Sequence, residues 1–112
     1  MKMLIAVIKP FKIEEVTDAL NKVGVSGVTI LEVRGHGRQR GHTEVYRGAE
    51  YRIEYLPKLQ LQIVCEDDDV EKIAATISDS ARTGQIGDGK WWVVPLDAVG
   101  RIRTGELDSD AL

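Results

Sequence analysis

Apolar residues along this chain follow two periods. Met3-Leu4-Ile5-Ala6-Val7-Ile8 is short, rich in β-branched residues and stopped by Pro10, which predicts a buried strand. From Ile13 the apolar positions become Ile13, Val16, Ala19, Leu20 and Val23, a helical stripe, and Gly24 suits the left-handed position that closes a helix. Val28, Ile30, Leu31 and Val33 then predict a second strand, which a one-helix crossover lays parallel to the first.

The plan repeats more loosely further on. Leu59, Leu61, Ile63 and Cys65 alternate with Lys58, Gln60, Gln62 and Val64, so this third strand has one buried face and one largely polar face. Asp68 with Glu71 reads as a capping box before a helical stripe of Val70, Ile73, Ala74, Ile77 and Ala81. Trp91 to Val94 predict a fourth strand stopped by Pro95, and Val99 to Arg103 a short fifth. The order β-α-β-β-α-β predicts an α+β, ferredoxin-like sandwich. Gly35 to Pro57, between strands two and three, is too long and too charged for a hairpin turn, which favours a recognition loop. The plainer alternative is a long extended hairpin, suggested by Val45, Tyr51, Ile53 and Tyr55.

A chain of 112 residues supports a single domain, 1–112, and 43% hydrophobic with 29% charged residues places it among folding rather than disordered sequences. Its single cysteine, Cys65, forms no intrachain disulfide and alternates with the apolar face, as a small core residue does. No secretory leader or bilayer-length apolar run stands out, so a cytoplasmic location is expected. A net charge of −3 argues against general nucleic-acid binding, because that binding needs an excess of Lys and Arg over the phosphates. His36 and His42 have no neighbouring Cys or carboxylate at ligand spacing, which favours surface histidines over a zinc site.

The densest chemistry lies in Gly84-Gln85-Ile86-Gly87-Asp88-Gly89-Lys90-Trp91-Trp92. The spacing G-x-x-x-x-G-K is that of a P-loop, but Trp91 stands where a magnesium-binding hydroxyl is needed. The order is also reversed, since a helix leads in and a strand leads out, and no helix N-terminus faces an anion. A P-loop enzyme is excluded. What remains is a glycine loop able to turn backbone N–H groups toward an anion beside Lys90, or a simple turn. Arg101 and Arg103, alternating on the predicted fifth strand, and Arg38 add charge suited to a triphosphate, or to surface ion pairs.

Four stretches together carry a resemblance: Ile8-Lys9-Pro10-Phe11-Lys12, Gly37 through Tyr51 (GRQRGHTEVYRGAEY), Thr83 through Lys90 (TGQIGDGK) and Arg101 through Glu106 (RIRTGE). In this order they resemble the PII nitrogen-regulatory signal proteins over the whole chain. The resemblance implies a homotrimer that binds ATP or ADP in the clefts between subunits, with a T-loop at about 36–57, a B-loop at about 82–90 and a C-loop at about 102–112. Matched position by position, Gly87, Asp88, Gly89 and Lys90 hold phosphates with Arg38, Arg101 and Arg103, the last two reaching across the subunit boundary. Thr29, Gly35 and Val64 line the adenine side. The effector 2-oxoglutarate sits beside Mg-ATP, with Gln39 on magnesium, Lys58 on a carboxylate, and Gly37, Gln39, Gly41 and Gly87 completing the pocket through backbone groups. Tyr51 matches the tyrosine that is uridylylated or adenylylated in bacterial members. Ala49 replaces the serine phosphorylated in cyanobacterial ones.

The chain departs from the family pattern in two places. Gln62 stands where many members carry an acid that pairs with the B-loop lysine, and Trp91-Trp92 is bulkier than the usual aliphatics. On a strand the two rings face opposite sides, so one can fill the core while the other packs at an interface. The function implied is ligand sensing that sets the T-loop for its targets: an ammonium transporter that recruits the protein to the membrane, a modifying nucleotidyltransferase, and other nitrogen-regulatory proteins. A small nucleotide or acylphosphate hydrolase on the same fold is the enzymatic alternative, though no residue outside the loops stands out as a general base. An RNA-binding ferredoxin-like module needs exposed aromatics on central strands and a basic sheet, which the sequence lacks.

Overall fold

The computed structural model describes residues 1–37 and 55–112 in full, together with the backbone of strands Thr43–Tyr46 and Ala49–Arg52. The elements in chain order are β1 (Lys2–Ile8), α1 (Ile13–Lys22), β2 (Thr29–Gly35), β3 (Thr43–Tyr46), β4 (Ala49–Arg52), β5 (Leu56–Cys65), α2 (Val70–Ala81) and β6 (Lys90–Pro95). The main sheet has the order β2-β5-β1-β6 and every neighbouring pair is antiparallel. Strands β1 and β2 therefore run parallel, as the crossover predicts, but β5 lies between them. The architecture is α+β and ferredoxin-like.

Both helices pack on one face of the sheet. Leu4, Ala6 and Ile8 of β1 and Leu61, Ile63 and Cys65 of β5 meet Val16 and Leu20 of α1 and Ile73, Ala74, Ile77 and Ala81 of α2. These are the residues that the periods of two and 3.6 selected. Each fully buried Leu or Ile contributes about 1.5–3 kcal/mol. Glu14 and Glu15 in the first turn of α1 and Lys22 in its last turn complement the helix dipole. Gly24 follows at φ +91°, as the stop signal requires.

Residues paired across the sheet share a face. The other face carries the rows Trp92–Ile5–Gln62–Thr29 and Lys90–Val7–Gln60–Leu31. No element among the described residues covers it as the helices cover the first face, and Leu31 (38%), Val64 (39%) and Trp92 (39%) are exposed there.

Four expectations are corrected. The α2 N-cap is Asp69, without a side-chain cap bond, because Asp67–Asp69 forms a 3-10 turn ahead of the helix; the Asp68/Glu71 box does not form. Val99 to Arg103 is not a strand: Gly100 makes a single bridge to Leu107, and the chain turns, with the Gly105 N–H donating to the Arg101 carbonyl at 2.8 Å. Neither tryptophan fills the core, since β6 is an edge strand and Trp91, though on the helix face, is 44% exposed. Lys58, assigned to the polar face, is only 8% exposed. Within the long segment, β3 and β4 form an antiparallel hairpin with Thr43 opposite Arg52.

Candidate functional site

Helix α2 ends at Ala81, and the glycine loop runs from there into Lys90 at the start of β6. The reversed order read from the sequence holds, so the helix presents its C-terminal end to the loop. Gly84, Gly87 and Gly89 have φ of +84°, +97° and +96°, a region costly to residues with a Cβ. Gly89 is constrained twice, because a Cβ there would lie 1.7 Å from the Val7 carbonyl oxygen. The loop thus sits directly on the backbone of β1.

Inside the loop, the Asp88 side chain turns inward. Its carboxylate accepts the N–H groups of Thr83 and Gly84, both at 2.9 Å, and the Thr83 hydroxyl. Lys9, at the end of β1, places its Nζ 3.2 Å from Asp88 Oδ1 and donates to Thr83 Oγ1 at 3.1 Å. The Thr83 hydroxyl also accepts the Gln85 N–H at 3.1 Å, so its donor and both lone pairs are engaged. These contacts hold the Asp88 carboxyl well below the usual carboxylate range, chiefly through the Thr83 hydroxyl, then the two backbone N–H groups and Lys9. The N–H groups at the start of the loop therefore bind an internal anion. The later residues, 87 to 90, line the adjoining cavity.

Lys58 approaches from β5. Its Nζ donates to the Gly87 carbonyl at 2.7 Å, and a Cβ added at Gly35 would lie 3.3 Å from its stem. Burial pushes its pKa down, as does the nearby positive charge of Lys9, while Asp88 opposes both. Burial disfavours the charged form of this lysine, and a neighbouring anion would offset that cost.

The predicted site residues divide between two cavities. Gly35, Gly37, Lys58, Gly87, Asp88, Gly89 and Lys90 line a cavity of about 700 Å³, together with His36, Leu56 and Ile86. Thr29, Val64 and Arg101 line another of about 520 Å³, with Gln62. Thr29 and Gly35 stand at opposite ends of β2, about 20 Å apart at strand rise. Arg103 is exposed in the turn after Arg101, whose guanidinium donates to the Ala111 carbonyl at 3.1 Å. Arg38, Gln39 and Gly41 lie outside the described residues. Tyr51 is on β4, with its side chain outside them.

Asp88 is the only carboxylate lining the first cavity among the described residues, and its oxygens are taken by four donors. With Lys58 and Lys90 on the walls, the cavity fits an anion, and a magnesium ion would need oxygens brought by that anion. No group of three potential metal ligands exists among the described residues. Sequence reasoning gave Lys9 and Thr83 no role. Their only signal was that both fall inside the stretches carrying the resemblance. Cys65, as expected, is a buried core thiol, and burial raises its pKa.

Comparison with known proteins adds an independent line. The family model for nitrogen regulatory protein P-II matches residues 1–106. A nitrogen regulatory protein P-II of Rhizobium etli and one of Azospirillum brasilense are each 53% identical over all 112 residues, covering both chains completely. The nitrogen regulatory protein GlnK of Escherichia coli is 49% identical over the same full length. These names are those of regulators rather than enzymes. With the family match spanning nearly the whole chain on a fold of the expected type, the chain belongs to the nitrogen regulatory protein P-II family.

Proposed function

We propose that this protein senses ATP or ADP together with 2-oxoglutarate and passes their state to nitrogen-assimilation targets through the segment around β3 and β4. The observation that carries the reading is the cavity joining the glycine loop to Lys58, where a polyanion and a carboxylate ligand meet adjacent cations. Arg38 and Gln39 follow Gly37, a residue of that cavity's lining, directly in the sequence. In this reading Gln39 contributes an amide oxygen to magnesium, whose remaining ligands come from ATP and the oxoacid. The oxoacid carboxylate takes Lys58.

The division of Thr29, Val64 and Arg101 from the glycine loop supports a nucleotide cleft shared between subunits of a homotrimer. The sheet face bearing Leu31, Val64 and Trp92 supplies apolar surface for that assembly. Ammonium transporters, a modifying nucleotidyltransferase and other nitrogen-regulatory proteins are the proposed partners. The protein is cytoplasmic in this reading and reaches the membrane through the transporter. No helix among the described residues is long and apolar enough to cross a membrane.

Titration calorimetry tests the ligand interlock. 2-Oxoglutarate alone should give no measurable heat, and Mg-ATP should restore binding; equal oxoacid affinity with and without ATP rejects the mechanism. Lys58→Met should weaken oxoacid binding roughly ten- to a hundred-fold, as expected for losing a charge-assisted contact, with a much smaller effect on ATP. The output side has its own test. Tyr51→Phe should keep both affinities but abolish the gain of a nucleotidyl mass in a lysate of nitrogen-starved source cells. A phenylalanine variant that still gains that mass places the acceptor elsewhere.

A further inference from the structure

Lys9 and Asp88 form a charged pair beneath the glycine loop. Lys9 is 8% exposed, and its side chain reaches a loop 74 residues away in sequence. Its own backbone is fixed: Pro10 restricts it to an extended conformation, observed as φ −65° and ψ 134°, and its carbonyl accepts the Lys12 N–H at 3.1 Å. The ammonium group is thus held by the end of β1, the same strand whose Val7 carbonyl stops any side chain at Gly89.

We propose that Lys9 is a positioning residue for the anion-binding loop, acting through Asp88 and Thr83, and that it neutralises a carboxylate that would otherwise repel the bound phosphates. The proposal rests on the nucleotide reading above. Two consequences of the geometry carry it. First, an inward Asp88 between Gly87 and Gly89, both at positive φ, fixes how the backbone of 87–89 is presented to the cavity. Second, a loop built to hold an anion contains an acid, and Lys9 is the cation that offsets it from below at 3.2 Å. Lys90 and Lys58, on the cavity walls, then act on the ligand.

Removing Lys9 while Asp88 remains leaves a partly buried carboxylate without its cation, which costs more than removing both. The decisive experiment is a double-mutant cycle on ATP affinity with Lys9→Met, Asp88→Asn and the pair, read by calorimetry. Lys9→Met should lose at least about ten-fold in affinity, and the double variant should bind clearly better than the product of the two single losses predicts. Lys9→Arg should recover most of the loss. Strictly additive losses would mean that Lys9 acts as a distant charge, and would overturn the proposal, as would unchanged affinity in Lys9→Met.

A second measurement needs no ligand. Hydrogen exchange of the 83–90 amides should quicken in Lys9→Met and return toward normal in Lys9→Arg; unchanged exchange overturns the positioning role. If Lys9→Met fails to fold, Thr83→Val removes the shared hydroxyl without touching either charge. It should quicken the same amides and weaken ATP binding, and normal exchange in that variant also overturns the proposal. A wild-type protein that does not bind ATP would reject the nucleotide reading, and the exchange data would still decide whether Lys9 positions the loop.

Discussion

Gly89→Ala should destabilise the protein by about 3 kcal/mol or more and abolish nucleotide binding, whereas Gly84→Ala should cost only about 1–2 kcal/mol. Both glycines have positive φ, +96° and +84°, so the conformational penalty of a Cβ is shared. The difference is what the new methyl meets. At position 84 nothing lies within 4 Å, while at 89 the Cβ would sit 1.7 Å from the Val7 oxygen and 2.8 Å from its carbonyl carbon. Strand β1 is paired on both sides, with β5 and β6, so Val7 cannot retreat without breaking the centre of the sheet. The loop must move instead. Lifting it off β1 pulls Asp88 from the Lys9 cluster and shifts Lys90, whose partner in the β6 register is Val7. Urea denaturation of the two variants, with ATP titration of each, checks the claim. Equal stabilities would show that the contact with Val7 does not constrain the loop.

Much of this architecture was legible because burial imposes a period. The stripes Ile13–Val16–Leu20 and Ile73–Ile77–Ala81 and the alternation Leu61–Ile63–Cys65 mark the surfaces that now meet in the core. Pattern misled where the same letters suited a competing local structure. Val99, Arg101 and Arg103 alternate as a strand would, but Gly105 at φ +74° closes a turn back onto Arg101, and only Gly100 bridges. Asp68 and Glu71 have capping-box spacing, yet the acids before α2 are used in a 3-10 turn, and the helix starts later, at Val70. The tryptophans lay on opposite faces as predicted, but a strand's position in the sheet decides burial, and β6 is an edge.

The site was legible as a set of residues and not as a geometry. Family resemblance brought Lys58 and the glycine loop to one pocket, and the structure places them there, with Lys58 bonded to Gly87. Nothing local to the sequence links Lys9 to Asp88. Their contact depends on β1 being laid beside the strand that follows the loop, a long-range consequence of the sheet order. Asp88 therefore reads in sequence as a ligand residue and in structure as an internal anion of the loop.

Chains carrying Lys90→Ala and chains carrying Arg103→Ala should each bind ATP poorly alone and regain sites when mixed. The premise is that one chain does not complete the proposed nucleotide site: the glycine loop lies in one cavity, while Thr29, Val64 and Arg101 line another, and Arg103 is exposed in the turn that follows Arg101. In the proposed ring of like subunits, each cleft would take its loop from one chain and its arginines from the next. A cleft formed by the loop of an Arg103→Ala chain and the arginines of a Lys90→Ala chain is then intact, which is about one quarter of clefts after random equal mixing. Removing either cation alone should cost about 1.5–3 kcal/mol of ATP binding, enough to separate intact from damaged clefts in one titration. Co-expression of the two variants under different tags, followed by calorimetry of the mixed trimer, gives the count. If both residues served the same cleft from the same chain, every site would carry one lesion and mixing would restore nothing, whereas a light-scattering mass of one chain with full ATP affinity would remove the shared cleft altogether.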